Sequence, residues 1–243
     1  MLAFLNTRVA PFDDVRVRRA VNDAVNRAYV AQLYGAYRAR PTCQIVPPTT
    51  TGYRPYCPYT AHPDATGQWW GADPALGTAL VEASGTAGTP VTLWTFPDFA
   101  DEASYLAEVL DELGYPTTIH ETADAATYFD TVPRTTDIQA GLWGWFGSPL
   151  AMDALSVLAC DYRPNPAQFC DPQIDAQIRQ LADTEPADPD GSRELAAQID
   201  REITDQAPWV PLFTPQTQDV TSARIGNYQV ERGRLLIDQL WVQ

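Results

Sequence analysis

The chain of 243 residues contains no lysine, so all 16 of its basic residues are arginine. Without lysine it cannot form a Schiff base with a carbonyl substrate or present the phosphate-binding lysine of a P-loop. Histidine is almost as scarce, with only His62 and His120. Both stand in loop-like or strand-end contexts with no metal-ligand partner beside them. A metal centre or a Ser–His–Asp triad would have to rest on one of them. No apolar run reaches the roughly 18 residues that a membrane-spanning helix needs. No stretch combines the charged start, apolar middle and small-residue end of a secretory leader.

Acidic residues are plentiful: 31 of them give a net charge of −15 and a pI near 4.3. Nucleic acid and anionic membranes call for a basic surface, so neither is expected as a partner. The charge is uneven. Residues 1–40 hold seven Arg and three Asp, a net of +4, and the remainder carries −19. The basic part reads mostly as one solvated helix face. Hydrophobic residues at 45% and charged residues at 19% describe a globular chain, long enough for one large domain or two small ones. Its 21 prolines imply many stiff loops.

The four cysteines form two local pairs. Cys43 and Cys57 bracket one proline- and tyrosine-rich stretch, and Cys160 and Cys170 bracket CDYRPNPAQFC. Neither pair has CxxC spacing and no histidine adjoins them, which disfavours zinc. Two loops each closed by a disulfide fit better and imply an oxidising, extracellular compartment; four reduced, buried cysteines are the alternative. Each bridge would contribute about 3 kcal/mol by loop entropy.

Leu2–Leu5 reads as a strand. After Pro11, Asp13 or Asp14 caps a helix whose Val17, Val21, Ala24, Val25 and Ala28 share one face at a 3.6-residue period, with Arg16, Arg19, Asp23 and Arg27 largely opposite. Asp73-Pro74 starts a short helix that Gly85 closes. Val91–Thr95, a helix from Phe99 to Leu113 and Pro116–His120 form strand, helix, strand, which is a parallel βαβ unit. Asp124–Phe129 is a short helix, Asp137–Trp143 a further strand, and Met152–Ala159 is helical. Asp171-Pro172 opens a helix to about Thr184, and another runs to Asp205. From Ala207 three extended pieces follow without a helix.

The words of the first helix say more. Asn6-Thr7, Pro11-Phe12-Asp13-Asp14-Val15-Arg16-Val17-Arg18 and Ala20-Val21-Asn22-Asp23-Ala24-Val25-Asn26-Arg27 resemble the family 5 extracellular solute-binding proteins, the peptide- and nickel-type substrate-binding components of ABC importers. Ile45, Pro47, Pro48, Gly52 and Tyr53 are similar to the family's next loop, and Ala79, Leu80, Glu82 and Ala83 to its next helix. The resemblance covers nearly all of residues 2–243. It implies an α/β fold: the C-terminal lobe of a type II periplasmic-binding-protein-like fold, with a mixed sheet flanked by helices and extended C-terminal hinge strands. It assigns residues 5–205 to the ligand-binding lobe and 206–243 to strands returning through the hinge, the N-terminal lobe being absent from this chain. Such a half cleft is expected to have little affinity alone, and the tail around Leu235–Trp241 to present an exposed apolar edge.

The sharpest candidate site is Gly141-Leu142-Trp143-Gly144-Trp145-Phe146-Gly147-Ser148, where aromatics and glycines follow a strand end in an α/β sheet. Indole and phenyl faces suit a ligand held by stacking and burial. The family places ligand contacts here, in a pattern whose tryptophan Trp145 matches. Its aspartate, which pairs with a peptide's α-amino group, falls near Ser148 and is absent, so a neutral or differently charged ligand is open, and a sugar stacked on tryptophan would suit equally well. Trp94 and Phe96 close the neighbouring strand and are second-rank candidates, with core packing as the alternative. In the disulfide loop, Tyr53, Tyr56 and Tyr59 either face ligand or, the better supported reading, pack the loop onto the lobe. No carboxylate pair is placed for acid–base work.

The expected function is reversible capture of a peptide-like or other small solute between two lobes and its presentation to ABC importer membrane subunits. It needs no cofactor and no catalysis, and belongs outside the cytoplasm: extracellular or in the cell envelope, lipid-anchored or periplasmic in the full-length form. The alternatives are a ligand-sensing lobe of a regulatory fusion protein and, more remotely, an enzyme built on the same scaffold. Oligomeric state is open.

Overall fold

The structure, a computed structural model, describes residues 1–35, 37–144, 149–216, 219–231 and 234–242. Leu2–Leu5 forms strand β1, and all four side chains are buried. Alternation sends Ala3 and Leu5 to one core and Leu2 and Phe4 to the other, so β1 is covered on both faces. Asp14 then caps helix α1 (Val15–Ala24) by accepting the Arg16 N–H at 2.8 Å.

The single helix expected here is two. The backbone leaves the helical region at Val25 (ψ 121°), and Asn26 caps helix α2 (Arg27–Tyr34) by accepting the Tyr29 N–H at 3.1 Å. An asparagine side chain competes with the helix ladder for such donors. The break also corrects the solvated-face reading: Arg18 and Arg27 are 5% and 0% exposed and bond to backbone carbonyls of other elements.

Strand β2 (Ala39–Pro41) precedes the first cysteine loop. Helix α3 (Pro74–Ser84) has Asp73 at its cap, Pro74 in its first turn and a left-handed Gly85 (φ 72°) at its end. Strand β3 (Val91–Thr95), helix α4 (Ala100–Glu112) and strand β4 (Thr117–Glu121) form the expected parallel unit. Helix α5 (Ala125–Thr131) is capped by Asp124. Strand β5 (Ala140–Trp143) is shorter than expected, because the carbonyls of Thr136 and Ile138 are taken by the side-chain amide of Asn6 rather than by a neighbouring strand. Helix α6 (Ala151–Leu155), extended by a 3-10 turn, is followed by α7 (Pro172–Thr184), α8 (Arg193–Gln206) and strands β6 (Trp209–Pro211) and β7 (Phe213–Pro215).

The five-stranded sheet runs β4-β3-β5-β1-β6. β3 is parallel to β4 and β5, while β1 is antiparallel to β5 and β6, so the sheet is mixed. One face packs Leu5, Leu93 and Leu142 against α1–α4; the other packs Phe4, Trp143 and Trp209 against α5–α8. This is the expected three-layer α/β lobe.

The expected division at 205/206 coincides with the end of α8, yet β6 re-enters the same sheet beside β1 and β7 pairs with β2. The chain therefore serves one core as far as Pro215. Short strands follow: β8 (Ile225–Gly226), β9 (Val230–Glu231), β10 (Arg234–Leu235) and β11 (Trp241–Val242), which pair only among themselves in the described residues. Ile237 and Trp241 there are 73% and 50% exposed.

Candidate functional site

Leu2 lies opposite both Trp143 and Pro211, so β1 begins at the edge where β5 and β6 end, and β3 and β4 run parallel to β5. Open α/β sheets bind ligands at this carboxyl edge. A cleft of about 450 Å³ opens there, with Leu2, Tyr34, Ile45, Pro47, Trp209 and Phe213 among its lining residues. No charged side chain lines it among the described residues. The indole N–H of Trp209, on its wall, is buried and has no hydrogen-bond partner among the described residues.

Two segments wall the cleft. The first is the loop closed by the Cys43–Cys57 disulfide, which contributes Gln44, Ile45, Pro47 and Thr49. The carboxylate of Asp200, on α8, accepts the Ile45 and Val46 N–H groups at 3.0 and 3.1 Å and also the side-chain amide of Gln44. Burial pushes Asp200 up to about 6 in spite of these bonds, which favour the ionised form. The second is residues 149–154, of which Ala154 lines the cleft. Glu185, at the end of α7, accepts the N–H groups of Ala151 at 2.9 Å and Met152 at 2.7 Å. The Thr51 N–H donates to the Pro149 carbonyl at 2.9 Å and joins the two walls.

Of the residues singled out from the sequence, Trp143 ends β5 and is 6% exposed, edge-on to Phe4 and Phe129 with ring centroids 6.5 and 4.9 Å away. Phe96 is 3% exposed and packs on Phe99, Tyr128 and Phe129. The structure thus joins Trp143 and Phe96 through Tyr128 and Phe129. Trp94 is half-buried and stacks on His120, ring centroids 3.9 Å apart. Trp145, Phe146 and Ser148 lie outside the described residues. Gly141 permits a close approach inside the fold: a Cβ there would meet the Tyr128 hydroxyl at 2.6 Å and the Phe4 ring at 2.7 Å. Gly144 faces open space.

Two loop tyrosines fasten the loop to the lobe. Tyr56 donates to the Asp205 carboxylate at 2.6 Å and Tyr59 to the Thr204 carbonyl at 3.0 Å, and burial raises both phenols, Tyr56 to about 12. The second cysteine pair, Cys160–Cys170, is also bridged. Among the described residues no group of His, Cys, Asp or Glu is placed to hold a metal, and no helix is long and apolar enough to cross a membrane.

Sequence reasoning missed Asp200 and Glu185. Their signal was a carboxylate on an apolar stripe: Ala196, Asp200 and Ile203 share one face of α8, and Ile178, Leu181 and Glu185 follow one face of α7.

The family described as "Bacterial extracellular solute-binding proteins, family 5 Middle" matches residues 1–165. Di/tripeptide-binding protein 2 of Pseudomonas aeruginosa is 27% identical over 247 residues, covering 94% of this chain and 42% of that protein. Glutathione-binding protein GsiB of Salmonella typhimurium is 24% identical, covering 93% of this chain and 44% of that protein. The solved structure of clavulanic acid biosynthesis oligopeptide binding protein 2 superposes with a TM-score of 0.79 at 23% identity, over 99% of this chain and 46% of that one. The chain spans less than half the length of these relatives.

Proposed function

The chain belongs to the bacterial extracellular solute-binding proteins of family 5, and we propose from that premise that it is a ligand-binding lobe of an ABC importer's binding component. It captures a peptide-like solute reversibly and does not catalyse. In the full-length protein a second lobe closes over the solute, and the closed form is presented to the importer's membrane subunits from the extracellular side, whether lipid-anchored or free in the periplasm. Residues 1–215 form the lobe in this reading, and the strands from Ile225 onward lead toward the second lobe. The names of relatives that bind di- and tripeptides and glutathione support a peptide-like ligand.

The observation that carries the ligand's character is that no charged side chain lines the cleft among the described residues. A charged group buried there would meet no charged side chain among the described residues, which is costly, whereas an apolar side chain or a blocked peptide would gain from contact with Tyr34, Ile45 and Phe213. Trp145, Phe146 and Ser148 are assigned to the ligand site in this reading on the sequence pattern alone, whereas Trp94, Phe96 and Trp143 are not among the described residues that line the cleft.

The test is an NMR titration of the isotope-labelled chain with acetyl-Ala-Leu-Phe-amide. One lobe alone is expected to bind at roughly 1 mM, about 4 kcal/mol. Amide shifts confined to the cleft's lining, at residues 1–2, 34, 42–49, 154 and 209–215, support the reading. No shift, or shifts on another surface, overturns it.

A further inference from the structure

We propose that Asp200 and Glu185 are positioning residues of the cleft: each buried carboxylate holds, through two backbone N–H groups, one of the two segments that wall it. The inference rests on reading the cleft as the ligand site.

Both residues sit on the helix pair α7–α8, beneath the sheet's carboxyl edge, at 1% and 0% exposure. Buried carboxylates are expensive, and an apolar residue would fill either place on its stripe without that cost. What an apolar residue would not supply is an acceptor. Val46 is 1% exposed and lies in a stretch without regular structure, so its N–H and that of Ile45 depend on Asp200. Helix α6 begins after Leu150, whose side chain cannot cap it, and Glu185 reaches across from α7 to take its first two N–H groups. The bond from Thr51 to Pro149 makes the two anchored segments one wall. The walls are thereby arranged before a ligand arrives, and binding is spared their ordering.

Asp175 supplies the control. It stands on the same helix α7, is 5% exposed and accepts the Cys160 N–H at 2.8 Å, but the loop it holds does not line the cleft.

The experiment compares Asp200→Asn, Glu185→Gln and Asp175→Asn in the same peptide titration, at a temperature where melting curves show all of them folded. We expect the initial slope of shift against acetyl-Ala-Leu-Phe-amide to fall about tenfold for the first two variants and to stay within about twofold for Asp175→Asn. Equal losses in all three, in step with their melting temperatures, mean a merely structural role and overturn the inference, as does no loss in any. Amide exchange without peptide decides independently. In the unmodified chain the N–H groups of Ile45, Val46, Ala151 and Met152 are expected to exchange as slowly as the centre of α8, and exchange at open-loop rates overturns the inference even if a variant fails to fold. If the unmodified chain shows slow exchange but no peptide shifts, the cleft reading fails and the anchoring stands; a positioning role for ligand is then withdrawn.

Discussion

The guanidinium of Arg27 grips Asn22 twice, donating to its backbone carbonyl and to its side-chain oxygen at 2.9 Å each. The same side chain reaches the Pro211 carbonyl on β6 at 2.8 Å and the Tyr59 carbonyl at 3.3 Å. One buried fork therefore ties the end of α1, the sheet and the first disulfide loop together. Burial lowers its pKa to about 10, still well above neutrality, so it remains a cation.

Arg27→Ala should leave these acceptors buried without a donor and cost about 3 kcal/mol or more. Arg27→Lys should recover little, since an ammonium lacks the planar fork that reaches Asn22 and Pro211 together. Chemical denaturation of the two variants checks this, and a lysine variant as stable as the parent would contradict it.

Gly141→Ala should destabilise the lobe by about 1–3 kcal/mol through overpacking. Its new methyl would displace the Tyr128 hydroxyl, which bonds to the Leu142 carbonyl at 2.6 Å, or the Phe4 ring. A near-ultraviolet circular dichroism change, reporting the aromatic cluster, should accompany the lower melting temperature.

Asp23 gives a pH dependence. Burial, opposed by Arg27 and Arg19 and assisted by Asp73, raises its carboxyl from 3.8 to about 7. The folded state then holds this proton more tightly than the unfolded state. Its contribution to stability is present below about 4 and is lost as pH rises to about 7. Asp23→Asn should flatten the stability profile across that window; melting temperatures at the two ends of it, for parent and variant, measure the change, and parallel profiles would refute the assignment.

Replacing Cys43 and Cys57 by serine should cost about 3 kcal/mol by freeing the loop in the unfolded chain. Because Asp200 still holds Ile45 and Val46, the folded loop should keep its place. The variant should melt lower yet show the same amide shifts at residues 44–46 as the parent.

Much of the lobe was legible in the sequence. Asp14, Asp73, Asp124 and Asp171 each cap the helix they precede, because a short side-chain oxygen next to the first free N–H groups needs nothing from the rest of the chain. The apolar run of β1 and the parallel unit of β3, α4 and β4 were equally plain. The site was less legible. Trp143 and Phe96 were marked by composition and strand position, but whether an indole at a strand end meets ligand or core depends on what packs over it, and here Phe4, Tyr128 and Phe129 do.

The sequence by itself determined the local elements, the two cysteine pairs and the family, since caps, periodicity and motif words all act within a few residues. Tertiary structure alone decided which charges go inside. Arg18, Arg27, Asp200 and Glu185 look solvent-bound or neutral to a local reading, and each is buried because its partners lie on elements far away in the chain. The hydrogen bonds themselves leave no mark on neighbouring residues; only the apolar stripes around Asp200 and Glu185 hint at burial, and they do not name the partner. The cleft exists for the same reason: its walls come from segments joined only once the sheet has formed.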